Sequence, residues 1–190
     1  LDNGHGAYAF PITHEYSRIE ATSWKRDSSG LIFSGGMDVG GMTGAGTELY
    51  TVDLDTTGLS DGTMVLDNNL QRLTFTTLSS GDPIGGVQNT SPVYSQDGGT
   101  VYFVSTRRAP TTTLHDRNIW QMPSDGRTEP EIYYFTRSDD QDPSVMPDGR
   151  IATYSADGTA RLWDAKRGTE LQRFSGHGGV SVTAVAITAR

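Results

Sequence analysis

The chain has 190 residues, no cysteine, and 15 Lys+Arg against 23 Asp+Glu, a net charge of −8. The missing cysteines exclude a disulfide-stapled scaffold, haem attachment through C-x-x-C-H and thiolate zinc sites. The acidic balance argues against the clustered basic face of a nucleic-acid binder, and no apolar run approaches the roughly 20 residues of a membrane helix.

Helical periodicity is nearly absent, and short β-rich runs alternate with Asp/Gly/Ser/Pro turns, so the expected fold is all-β. A first candidate strand is Ala7–Phe10. Predicted strands follow at Ala21–Lys25, Leu31–Gly35, Glu48–Asp53 and Leu70–Thr76. A second set is Ser91–Ser95, Thr100–Ser105, Asn118–Met122 and Glu131–Arg137. A third is Asp142–Met146, Arg150–Ser155, Thr159–Asp164 and Glu170–Phe174, and a last run is Ser181–Thr188. The opening strand of each set ends in a hairpin signal: Asp27-Ser28-Ser29-Gly30, Asp97-Gly98-Gly99 and Asp148-Gly149. Asp and Gly suit the positive-φ positions of tight turns.

Four antiparallel strands recurring about every forty residues make one blade of a β-propeller. A lone blade cannot cover its own two apolar faces, so neighbours must stack on it. Three blades are expected, at 19–76, 90–137 and 141–175. Residues 1–18 form an N-terminal segment with a candidate closing strand, and 176–190 hold the first strand of a further blade. Propellers have about 4–8 blades, so the expectation is a partial or jointly completed ring. The first residue, Leu1, reads as the start of a processed or truncated chain.

The segment Ser91-Pro92-Val93-Tyr94-Ser95-Gln96-Asp97-Gly98, with the later Ser105-Thr106-Arg107, resembles the TolB-type, or PD40, propeller repeat. Asn118–Met122 before Ser124-Asp125-Gly126, Gln71-Arg72-Leu73-Thr74, and Asp142–Gly149 fit the same pattern. The resemblance covers roughly residues 19–155. The third blade changes character: Ser155-Ala156-Asp157-Gly158 followed by Ala160–Asp164 resembles a WD40 repeat with its Trp163-Asp164 ending. Gly176-His177 resembles the Gly-His that precedes the next WD40 blade. The WD40 resemblance implies structural roles for Ser155, Asp157, Trp163, Asp164 and His177. In that family a turn Asp, a Gly-His histidine, a strand Ser/Thr and the Trp share a buried hydrogen-bond network. Asp157, Ser155 and Trp163 match three of the positions, and the Gly-His expected before Asp142 is missing.

Candidate chemistry is sparse. His5, His14, His115 and His177 sit at no metal-ligand spacing with another ligand. Asp139, Asp140 and Asp142 are candidate oxygen ligands for a cation such as Ca²⁺, against the plainer role of turn caps. The glycine-rich stretch Gly35–Gly46 lacks the following helix that a phosphate loop needs, so it reads as an insertion or contact loop carrying Met37, Asp38 and Met42. Asp55–Asn69 and Arg107–Arg117 read likewise, the latter bearing Arg107, Arg108, His115 and Arg117. No G-x-S-x-G nucleophile motif occurs, and no catalytic residue or cofactor is expected.

The first functional expectation is a non-catalytic propeller module for protein–protein interaction, joined to a protein partner or a further chain that completes the ring. The TolB-type resemblance implies a periplasmic or extracellular setting, with a cytoplasmic one as the alternative. TolB-like propellers also form the non-catalytic half of prolyl-oligopeptidase-type peptidases. A second expectation is therefore the propeller domain of an enzyme whose active site is supplied largely by other domains or chains. A third is a calcium- or carbohydrate-binding propeller.

Overall fold

The computed structural model of the chain describes residues 18–36, 46–53, 68–76, 86–109, 116–134 and 138–176. These hold twelve strands and no helix, so among the described residues no helix is long and apolar enough to cross a membrane. The first sheet runs β1 (Arg18–Trp24), β2 (Gly30–Gly36), β3 (Glu48–Asp53) and β4 (Asn68–Arg72) in spatial order. The second runs β5 (Asn89–Tyr94), β6 (Thr100–Ser105), β7 (Asn118–Pro123) and β8 (Glu131–Tyr134). The third runs β9 (Asp140–Val145), β10 (Arg150–Ser155), β11 (Ala160–Asp164) and β12 (Thr169–Phe174). Every pairing within the sheets is antiparallel. The sheets stack as propeller blades, β5 against β1, β2 and β3, and β9 against β5, β6 and β7. The described residues do not close a ring.

The stacking follows from the pattern of the second strands. In β6, Val101 and Phe103 join Ile32, Leu49, Leu73, Tyr94, Trp120 and Met122 in a core between the first two blades. Tyr102, between them in sequence, turns to the other side and packs with Ile151 and Trp163 of the third blade. A strand buried on both faces must be apolar at successive positions, which is why Val101–Val104 reads as an unbroken apolar run. Burying each such large side chain contributes about 1.5–3 kcal/mol. Leu31, Phe33, Tyr50 and Val52 form a further buried cluster on the opposite face of the first blade.

The turns explain much of the acid excess. In each of six turns an Asp Oδ1 accepts the backbone N–H two residues on. The pairs are Asp27 with Ser29, Asp97 with Gly99, Asp125 with Arg127, Asp148 with Arg150, Asp157 with Thr159 and Asp164 with Lys166, at 2.9–3.1 Å. This bond mimics a backbone turn and is why Asp recurs there. These bonds also hold Asp27, Asp97, Asp148 and Asp164 below the usual carboxylate range, with a side-chain hydrogen bond as the largest cause each time.

Most strand boundaries differ from the sequence expectation by a few residues, and at β1, β4 and β9 the local cause is visible. β1 begins at Arg18, because its register slips between Ile19 and Ala21 and pairing continues to Gly36. β4 ends at Arg72, although Leu73 N–H still reaches the Leu49 carbonyl at 2.8 Å. There Arg72 Nε turns onto the Thr74 carbonyl at 2.8 Å, and Thr74 Oγ1 receives the Leu49 N–H. β9 begins at Asp140, whose N–H reaches the Arg117 carbonyl across the blade junction at 2.7 Å.

The seam between the first two blades is polar at one end. Glu48 Oε1 accepts from Arg72 Nη2 at 2.9 Å and from Thr76 N–H at 2.7 Å. Its Oε2 accepts from Thr74 Oγ1 and from Asn89 Nδ2, the latter at 3.1 Å. Arg107 extends the network to Thr76 Oγ1 at 3.0 Å and Asn89 Oδ1 at 3.4 Å. With most of its oxygen sites filled, this carboxylate can sit at a blade junction without the penalty of an unpaired charge.

Candidate functional site

The first strands of the three blades lie side by side, and each carries a register slip. Opposite Phe103, β5 places two residues, Ser91 and Pro92, and opposite Thr153, β9 places Asp142 and Pro143. The two bulges are equivalent, since Phe103 and Thr153 pair with Trp120 and Arg161 at matching places in their sheets. Ser91 has φ 50° and Asp142 φ 39°, both in the left-handed region. A non-glycine residue there costs on the order of 1–3 kcal/mol. Each also precedes proline, which pushes its neighbour toward extended backbone. Bulges of this kind re-aim a side chain.

Both re-aimed side chains line one cavity of about 220 Å³. Ala21, Thr90 and Gln141 line it too, and they are the same position in three blades, paired with Ser34, Val104 and Tyr154. Three equivalent inner-strand positions meeting on one space place this cavity at the convergent, axial side of the stack. Val104 supplies apolar wall and Arg117 a cation. Ser91 Oγ donates to Asp142 Oδ1, and Tyr154 Oη donates to Asp142 Oδ2 at 2.5 Å. Burial first, then the Asp142 carboxylate, push the Tyr154 phenol up to about 12, so the hydroxyl stays protonated and keeps donating.

A second cavity, of about 340 Å³, opens between the hairpin turns of the first two blades. Lys25, Arg26, Asp27 and Asp97 line its rim, with Tyr94 and Thr51 in its wall. Arg26 bridges the blades there, donating to the Tyr94 carbonyl at 3.1 Å and the Ser95 carbonyl at 3.3 Å.

The three carboxylates singled out as cation ligands go to different partners. Asp139 Oδ1 accepts the Arg117 N–H at 3.0 Å, Asp140 is fully buried with Arg161 Nη1 at 3.8 Å, and Asp142 faces the axial cavity. Among the described residues no group of three or more His, Asp or Glu gathers as a metal site. Arg107 and Arg117 belong to separate junctions, Arg107 to the Glu48 seam and Arg117 to the cavity, while Arg108 is exposed. Met37, Asp38, Met42, His115 and His177 lie outside the described residues, as do His5 and His14.

The residues matched to the WD40 network take these places. Trp163 Nε1 donates to Thr153 Oγ1 at 3.0 Å. Ser155 Oγ accepts the Asp157 N–H at 3.3 Å, and Asp157 Oδ2 pairs with Arg161 at 2.6 Å. Asp164 caps its turn through Arg167 N–H at 3.1 Å and Arg167 Nη1 at 2.6 Å. Arg161 is the residue that sequence reasoning missed. It is 4 % exposed, lies over the Tyr134 ring at 5.4 Å and is ringed by Asp140, Asp157 and Glu170. The signal was available: aligned in register, Leu49-Tyr50, Ile119-Trp120 and Ala160-Arg161 put Arg161 where the other blades bury an aromatic ring.

No family model matches the sequence, and no curated protein does. A solved structure of a Mycobacterium tuberculosis puromycin-hydrolyzing peptidase is similar in fold, with a TM-score of 0.58 at 15% identity. The match covers 89% of this chain and 23% of that chain, so the chain spans about a quarter of the peptidase's length. At this identity the likeness concerns fold alone.

Proposed function

We propose that the chain is a non-catalytic stretch of a β-propeller that acts by protein–protein contact within a larger protein or assembly. Phe174 carries this reading. Leu73, Tyr134 and Phe174 hold one equivalent position, opposite Leu49, Ile119 and Ala160. Leu73 is 3 % exposed in the core against the second blade, and Tyr134 lies 4.1 Å from Trp163 of the third. Phe174 is 51 % exposed. A blade covers its apolar residues only when another stacks on it, so Phe174 marks a face built to be continued. At the other end of the stack Trp24 is 58 % exposed. The TolB-type resemblance supports a periplasmic or extracellular setting. Light scattering and an exposed-hydrophobe dye test the reading. The 190-residue chain alone is expected to self-associate and bind dye, both reduced by Phe174→Ser, and a dye-silent monomer would count against it.

A second reading is the propeller portion of a peptidase-type hydrolase, with catalysis supplied by other domains. It is favoured by the fold likeness to the puromycin-hydrolyzing peptidase, which extends far beyond the matched quarter. Its test is puromycin hydrolysis by the intact protein. Activity in the intact protein but not in the 190-residue chain supports this reading, and activity in the chain alone overturns both.

A further inference from the structure

We propose that the axial cavity binds a zwitterion of dipeptide size, its carboxylate on Arg117 and its ammonium on Asp142. The inference stands on the inner-strand geometry and holds under either reading of the larger protein. Two charges of opposite sign line one small space, Asp142 on β9 and Arg117 just before β7. A simple anion would meet Asp142 and a simple cation would meet Arg117, whereas a zwitterion satisfies both. Gln141 offers an amide donor and acceptor on the same rim, which suits a peptide group between the two charges. The cavity of about 220 Å³ suits a short zwitterion rather than a long chain.

The strained backbone points the same way. Glycine would occupy the left-handed positions 91 and 142 without the steric penalty, yet side chains with oxygen stand at both and meet in the cavity. Ser91 Oγ and Tyr154 Oη fix the Asp142 carboxylate, so its remaining lone pairs stay oriented for an incoming N–H donor. The competing account is a purely structural latch between the second and third blades. The two accounts predict opposite behaviour on substitution by glycine.

The experiment is calorimetric titration of the intact protein with L-alanyl-L-alanine, with its N-acetylated form and with its C-terminal amide. The zwitterion is expected to bind, and each blocked form to bind about tenfold more weakly or worse, the loss of one charged hydrogen-bond partner. Asp142→Gly is expected to weaken binding of the zwitterion at least about tenfold with an unchanged or raised melting temperature. Ser91→Gly is expected to weaken it less, again without a lowered melting temperature. Equal binding of all three probes, or no binding of the zwitterion, overturns the proposal. So does a lowered melting temperature in Asp142→Gly with binding intact, which is the latch result.

Discussion

At the residue scale, Arg161 shows how one substitution within a repeat changes local physics. Tyr50 and Trp120 bury rings at this position, while Arg161 buries a guanidinium whose Nη2 lies 2.6 Å from Asp157. Arg161→Ala breaks a largely buried ion pair, leaving Asp157 without the guanidinium at 2.6 Å, and is expected to cost about 3 kcal/mol by urea denaturation. The same cluster sets a pH dependence. Burial alone would raise the Asp157 pKa, but hydrogen bonds from Thr159 and Arg161 outweigh it and hold the carboxyl below the usual carboxylate range. A depressed carboxylate contributes stability that is fully present above its unfolded pKa, about 4, and is lost as pH falls through the folded value. Denaturation midpoints are therefore expected to hold near neutrality and fall below about pH 4, less steeply in Arg161→Ala. A midpoint that rises on acidification would contradict this. Ser28, at φ 61°, stands where the other two blades place Gly98 and Gly149. Ser28→Gly should raise stability by about 0.5–1 kcal/mol by relieving the left-handed strain. Legibility was uneven at this scale. The turn Asp residues were readable because a local bond to their own backbone selects them. The partner of Trp163 was not, because strand register decides it: Ser155 pairs toward Asp157, while Thr153 reaches the indole.

At the element scale, the strands were legible because a strand buried between blades must be largely apolar on both faces, as Val101–Val104 is throughout and Leu49–Val52 is but for Thr51, whose hydroxyl donates to the Leu31 carbonyl. The bulges were less so. Ser91-Pro92 and Asp142-Pro143 read as ordinary strand openings, and only pairing opposite Phe103 and Thr153 reveals the extra residue. The joint between the first two blades was also hidden, since it rests on an isolated parallel bridge between Thr47 and Gln88, far apart in sequence. Thr47 N–H meets the Val87 carbonyl at 3.1 Å and Asn89 N–H the Thr47 carbonyl at 3.2 Å. Gly46 permits this approach, because a Cβ there would stand 1.7 Å from the Val87 oxygen. Gly46→Ala must therefore push β5 away from β3, an expected loss of about 2–3 kcal/mol in the cooperative melt. Unchanged stability would mean that the blade joint does not depend on this bridge.

At the scale of the whole molecule, the question is whether the stack ends where the described blades end. Length and repeat count already pointed to a ring left open, and the graded exposure of Leu73, Tyr134 and Phe174 gives that a physical form. What sequence could not show was how much burial each blade draws from its neighbour, because burial belongs to the contact and not to the strand. The three positions allow a direct comparison. Leu73→Ala removes a side chain already packed against the second blade, so it should cost about 2–5 kcal/mol in the chain alone and in the intact protein. Phe174→Ser should cost under about 0.5 kcal/mol in the chain alone, where the ring is half-exposed and lies outside the three buried clusters. In the intact protein, with a further blade or partner stacked on that face, the same substitution should cost about 1.5–3 kcal/mol. Urea denaturation of both forms reads the difference. A cost that appears only in the intact protein locates the missing neighbour on the third blade. An equal, small cost in both would mean that the face is left bare, against a neighbour stacked on the third blade.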